Sequence, residues 1–187
     1  KGVDEEVKGT LRGTAYHRFF EILNYDCCKD YNSIEEYLKT SVAAGKISKE
    51  YAGLINLKRF EEFLQTNLGK RMGSAYKKGL LFREQPFIME LGADMIDKEY
   101  PSDEKILVQG IVDAFFFEDD KVYIVDYKTD RVEQGKAGEK ALTERYHKQL
   151  ELYADTISRV TGKETGGCYI YSTCLKKEIL IESPSYT

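Results

Sequence analysis

Two short runs of β-branched and aromatic residues constrain this chain more than any other feature. Residues 106–117 and 122–128 read as strands, and only Glu118-Asp119-Asp120-Lys121 separates them. So close a spacing predicts an antiparallel hairpin. With the turn centred on Asp119-Asp120, facing residues have numbers that sum to 239, which sets Asp113 across from Asp126. Cβ atoms in such a pair stand about 4.5–5.5 Å apart, and like charges there repel. The pair persists where one carboxylate is protonated or a cation lies between them. Side chains alternate along a strand, so Lys128 shares a face with Asp126 about 6.6 Å further on, at ~3.3 Å per residue. An exposed ion-pair patch is the alternative reading of these three residues. The flanking Ile111, Val112, Val125 and the Phe115-Phe116-Phe117 run favour a largely buried hairpin.

The hydrophobic period organises the rest. Residues 10–24 carry Leu11, Ala15, Phe19, Ile22 and Leu23 at helical spacing. Ser33 and Glu36 have the spacing of a capping box for a helix that Gly45 closes. Ser48 is a further N-cap, and residues 57–68 place Phe60, Phe63 and Leu64 on one face before Gly69 stops them. Residues 80–91 read as a strand, with Pro86 at an edge or bulge. After the hairpin, residues 139–161 form a long helix with Leu142, Tyr146, Leu150, Tyr153, Ile157 and Val160 in one stripe. Residues 168–173 and 178–182 read as closing strands. The pattern predicts a single α/β domain over residues 1–187, with a helical portion at 1–78 and a β-β-β-α-β-β core at 79–187.

Composition narrows the function classes. Hydrophobic residues make up 42% of the 187 and prolines number three, which excludes disordered and fibrous chains. No apolar run is long enough to span a membrane, and the first residues lack the apolar region of a secretory leader. Cys27, Cys28, Cys168 and Cys174 show no CxxC spacing, so reduced thiols in a cytoplasmic protein are expected. The first residue is not methionine, and the chain reads as a piece of a longer protein. A net charge of −4 argues against a broad basic face for nucleic acid. It leaves a carboxylate metal site open. An all-oxygen site of this sort suits magnesium, which polarises a phosphoryl oxygen, with the lysine supporting developing charge. Phosphodiester hydrolysis is the implied reaction.

Asp113 followed by Asp126-Tyr127-Lys128 resembles the D…(D/E)xK signature of the restriction-endonuclease-like, PD-(D/E)XK nuclease superfamily. Three further segments extend the likeness. Gly13-Thr14-Ala15-Tyr16-His17 resembles the histidine motif of the RecB-like branch, and Glu84-Gln85-Pro86-Phe87 its strand motif. Gln149-Leu150-Glu151-Leu152-Tyr153 resembles its QxxxY motif. The array over residues 10–182 is most similar to the C-terminal nuclease domains of AddA-type helicase–nuclease subunits.

That resemblance implies a restriction-endonuclease-like fold, with a mixed central sheet flanked by helices. It implies that His17, Asp113, Asp126 and the Tyr127 backbone carbonyl ligate Mg2+, for which Mn2+ can substitute. Lys128 would be catalytic with the two aspartates. Glu84, Gln149 and Tyr153 would shape the site or the DNA path, although Tyr153 also belongs to the apolar stripe and Glu84 can pair with a neighbouring cation. The implied substrate is a single-stranded DNA end in double-strand break repair by recombination, with an AddB-like partner subunit. No Walker A sequence occurs, so an ATP-driven motor is expected elsewhere in a longer chain. A free-standing RecB-like nuclease and an inactive DNA-threading scaffold are the other readings. Some relatives hold an iron–sulfur cluster through one early and three late cysteines. Thr165 stands where one of these is required, and no cluster is expected. His147, on the helix of Gln149, reads as a satisfied, partly buried histidine, and the charges Arg131, Lys136, Lys140, Arg145 and Lys148 as a solvated face.

Overall fold

Helices fill the chain up to Lys77, and strands dominate beyond it. A computed structural model describes residues 2–92, 101 and 103–181. The helices before the sheet are α1 (Gly2–Ile22), α2 (Tyr31–Ala43), α3 (Lys49–Leu54), α4 (Leu57–Gln65) and α5 (Asn67–Lys77). The strands β1 (Leu81–Gly92), β2 (Lys105–Glu118) and β3 (Lys121–Lys128) follow, then α6 (Lys136–Thr161), β4 (Thr165–Ser172) and β5 (Lys177–Ile181). The strands form one sheet in the order β1-β2-β3-β4-β5. Only the β3–β4 pair is parallel, because α6 carries the chain across between them. This is the mixed, helix-flanked sheet expected, with β1 and its Pro86 on an edge. No helix among the described residues is long and apolar enough to cross a membrane.

The hairpin register is the one derived above: Ala114 faces Val125 and Glu118 faces Lys121. Asp119 and Asp120 both adopt left-handed conformations, with φ of 49° and 62°. Positive φ at both central residues matches the right-handed twist of the flanking strands.

Strand β3 is covered on both faces. Val125 and Tyr127 pack with the N-terminal helices, in a cluster that includes Phe20, Phe60, Phe63, Met72 and Tyr171. Val122 and Ile124 pack with Leu142, Leu150, Tyr153 and Ile157 of α6. Phe20 stacks flat on Tyr127, centroids 3.8 Å apart and planes 2° from parallel, which ties α1 to β3. In β1 and β2 the inward faces change over at Glu84 and Asp113, which stand opposite one another. Val112 and Phe87 join the α6 cluster, whereas Ala114 and Phe116 join the helical one. Glu84 has φ of 49° and no ladder pairing, while Arg83 and Gln85 on either side are paired. A residue in the left-handed region breaks the alternation of a strand, and the faces turn with it.

Several local expectations give way. Helix α2 starts at Tyr31, and its capping box joins Asp30 to Ser33 rather than Ser33 to Glu36. Asp30 offers its carboxylate one turn earlier, and Ile34 and Leu38 can then be buried. Gly69 does not stop a helix. Thr66 ends α4, and its hydroxyl accepts the Gly69 N–H to start α5, an element absent from the periodicity reading. Helix α1 begins before residue 10 and α6 at Lys136. Val160 is exposed at the end of α6. Cys174 lies in the β4–β5 turn, and Glu182 falls outside the described residues.

A Cβ on Gly69 would lie 2.2 Å from the Phe63 carbonyl oxygen, where α4 and α5 meet backbone to backbone. Gly69→Ala is therefore expected to cost about 1–3 kcal/mol, as overpacking does. A thermal melt of the variant, showing a lowered midpoint, checks this.

Candidate active site

The site forms where β2 and β3 part. Their ladder ends at the Ala114–Val125 pair, one residue short of the two aspartates. There Asp113 Oδ2 accepts the Tyr127 backbone N–H at 2.8 Å, and Asp113 Oδ1 lies 3.2 Å from His17 Nδ1. His17 precedes Phe20 by three residues on α1, so the stack of Phe20 on Tyr127 turns the imidazole toward the sheet. Glu84 arrives from β1, opposite Asp113. Ligating atoms of His17, Glu84 and Asp113 all lie within 4.8 Å of one another.

Asp126 stands outside that trio. It is 1% exposed, and its Oδ2 lies 2.7 Å from Lys128 Nζ without a well-directed hydrogen bond. Lys128 donates instead to Gln149 Oε1 at 3.3 Å, and its ammonium sits 3.9 Å from the centre of the Tyr146 ring. Gln149 in turn donates to the Tyr153 hydroxyl at 2.7 Å. The Tyr146 hydroxyl is anchored at 2.8 Å on Asp130, which also receives Arg145. The expected residues thus divide into two adjoining groups. His17, Glu84 and Asp113 form one; Asp126, Lys128, Gln149 and Tyr153 form the other. Tyr127 joins them through its backbone N–H, while its ring is buried among the N-terminal helices. His147 pairs with Glu151 on the α6 surface.

Burial and mutual repulsion set the protonation of these groups. Burial, then the charge of Asp113, pushes the Glu84 carboxyl up to about 6. The Asp126 carboxyl is raised by burial and by Asp113, against the opposing pull of Lys128. Burial depresses the His17 imidazolium, but hydrogen bonding and charge from Asp113, with Asp126 and Glu84, outweigh it and raise its pKa. The protein alone therefore draws protons into this region.

Two residues carry more of the geometry than their sequence pattern conveyed. Glu84 read as a supporting residue because pairing with a neighbouring cation explained it as well as a place in the site did. Tyr146 read as part of the apolar stripe; its place one turn before Gln149 was the available signal.

Comparison with known proteins identifies the family. Residues 1–184 match the model of the PD-(D/E)XK nuclease superfamily. The chain belongs to that superfamily. Its relatives include the A subunit of the ATP-dependent helicase/nuclease of Clostridium perfringens strain SM101, 35% identical over 95% of this chain and 14% of the relative. The corresponding protein of Lachnoclostridium phytofermentans is 30% identical over 96% of this chain and 15% of its own length. That of Thermoanaerobacter sp. strain X514 is 37% identical over 89% and 14% respectively. The chain thus spans about one-seventh of the length of these relatives.

The donor set suits the divalent metal that PD-(D/E)XK nucleases use. It offers one imidazole nitrogen and several carboxylate oxygens, the chemistry of magnesium and manganese. Asp126 Oδ2, buried and 2.7 Å from the Lys128 ammonium, is a further carboxylate oxygen whose charge is felt by His17.

Glu84 gives a pH-dependent test of this electrostatic picture. Its carboxyl titrates near 6 when folded, above its ordinary value of 4.5. Its stabilising contribution is therefore present below 4.5 and lost as pH rises through 6. In metal-free buffer, Glu84→Gln is expected to raise the melting temperature at pH 8. The gain should shrink below pH 6 and vanish near 4.5. Melts across that range check the sign.

Proposed function

We propose that this chain is a Mg2+- or Mn2+-dependent deoxyribonuclease that hydrolyses phosphodiester bonds at single-stranded DNA ends. The observation that carries the reading is the adjacency of the His17–Glu84–Asp113 group to the Asp126–Lys128 pair. Superfamily membership and the helicase/nuclease relatives support it.

His17, Glu84, Asp113 and Asp126 would hold the cation, with the Tyr127 carbonyl as a further ligand. Once bound, a divalent cation polarises a phosphoryl oxygen and offsets the charge of the phosphodiester. The protein's residues do the positioning. The Tyr127 N–H fixes Asp113 so that its other oxygen meets His17. Lys128, held by Gln149 and the face of Tyr146, sets an ammonium beside the carboxylates. There it stabilises negative charge that grows in the transition state. Loss of such a group typically costs about 10²–10³ in rate. Tyr153 orients Gln149, and so acts on Lys128 at one remove.

We further propose that the chain works as the nuclease part of a longer helicase–nuclease, fed with unwound strands by an ATP-driven motor and assembled with an AddB-like partner subunit. Its role would be end processing in recombinational repair of double-strand breaks, in the cytoplasm. With a net charge of −4, the phosphate-binding charge would come largely from outside this chain.

Two measurements test the reading. Calorimetric titration with Mn2+ should show a binding site that Asp113→Ala abolishes; unchanged binding in the variant overturns the metal assignment. Lys128→Ala should retain Mn2+ binding and lose about 10²–10³ in single-turnover cleavage of single-stranded DNA. Cleavage within a few-fold of the parent would reduce the lysine to a structural ion pair.

A further inference from the structure

A cleft of about 480 Å³ opens beside the metal-ligand candidates, and the chemistry above leaves it unused. His17 and Glu84 form one wall, so the cleft is continuous with the proposed cleavage centre. The segment between α2 and α3, with Lys46 and Ile47, forms the facing wall together with Tyr51 of α3.

That segment is firmly built. Gly45, with φ of 70°, ends α2, and the Lys46 N–H returns to the Ser41 carbonyl. Ile47 is buried in the helical core, and Arg18 Nε donates to the Lys46 carbonyl at 2.8 Å. The guanidinium of Arg18 also pairs with Glu21, so it serves the wall rather than a ligand. Lys46 differs: its ammonium is exposed at the rim and has no ion pair among the described residues. Tyr51 is half-buried, packed against the core on one side and facing the cleft on the other.

Charge decides what such a cleft can take. Apart from His17 and Glu84, which belong to the metal-ligand candidates, Arg18 and Lys46 are balanced by Glu21 and Glu50. A balanced cleft does not select a phosphate, but it suits an uncharged, flat, hydrogen-bonding group. Its volume lies within the roughly 300–1,000 Å³ of small-ligand sites. We propose that the cleft seats the nucleoside adjoining the phosphate to be cut, with its base against Tyr51 and Lys46 reaching the next phosphate outward. This rests on the nuclease reading and assigns to that site a subsite for one nucleotide. Stacking on an aromatic face tolerates every base, so the subsite positions the strand without reading sequence.

Crosslinking tests occupancy apart from cleavage. Oligothymidylates carrying one 5-iodouracil at successive positions would be bound with Ca2+ in place of Mg2+, irradiated and mapped by mass spectrometry. Attachment to Tyr51 from one position is expected, and attachment only elsewhere overturns the assignment. Single-turnover cleavage supplies the second readout. Tyr51→Ala should raise the half-saturating DNA concentration about tenfold or more, with the saturated rate within a few-fold of the parent. Tyr51→Phe should restore it. Removing the base at the crosslinking position should weaken the parent equally and add nothing to Tyr51→Ala. Lys46→Ala, at an exposed position, should weaken binding and reduce the salt slope by about one. Additive losses, or affinities equal to the parent, overturn the subsite. A parent that cleaves while Tyr51→Ala and Lys46→Ala change nothing rejects the subsite and keeps the nuclease. A parent that crosslinks at Tyr51 without cleaving does the reverse. Neither binding nor cleavage rejects both.

Discussion

The hydrogen bond from the Tyr127 N–H to Asp113 Oδ2 sits where the β2–β3 ladder ends, and the polar centre is arranged around it. A carboxylate this deeply buried needs a donor in place of water. The backbone of the neighbouring strand provides one at 2.8 Å, which fixes the carboxylate plane. The second oxygen then points at His17. Asp126, one residue along on β3, is brought close enough for the two charges to perturb one another.

Burial of β3 on both faces supplies the remaining groups. Tyr127 belongs to the N-terminal helical layer and its stack with Phe20 sets the rotation of α1, hence the direction of His17. Asp126 and Lys128 belong to the opposite face, where α6 presents Gln149 and Tyr146. One strand end is therefore served from two layers. The change of face in β1 and β2 at Glu84 and Asp113 brings a third carboxylate to the same place.

The arrangement carries an electrostatic cost that a cation relieves. Glu84 and Asp126 have raised pKa values because burial and a neighbouring acid oppose their ionised forms. His17 answers the same field by holding its proton more tightly. Binding a divalent ion to the folded state would displace those protons and stabilise the fold by mass action. Stability given up at the centre and affinity for a cation are two readings of the same repulsion.

How much of this was legible in the sequence depended on local rules. The hairpin register follows from two central turn residues and a period of two, so spacing alone gives the Ala114–Val125 pairing and sets Asp113 and Asp126 one residue beyond it. The four-residue spacing of Gln149 and Tyr153 likewise places them on one helix face, where they are hydrogen-bonded. Other features lack a local signal. Whether Asp30 or Ser33 caps α2 turns on which start buries Ile34 and Leu38. The break between α4 and α5 has a local signal in the Thr66 cap, but the close approach of the two backbones at Gly69 has none. Glu84 comes within reach of His17 and Asp113 through the β1–β2 register, which spacing in the sequence does not specify. The orientation of Tyr146 over Lys128 depends on the rotation of α6 against the sheet. Spacing within one element is dictated by backbone geometry and is readable from sequence. Distances between elements are settled by packing, and only the tertiary structure decided them.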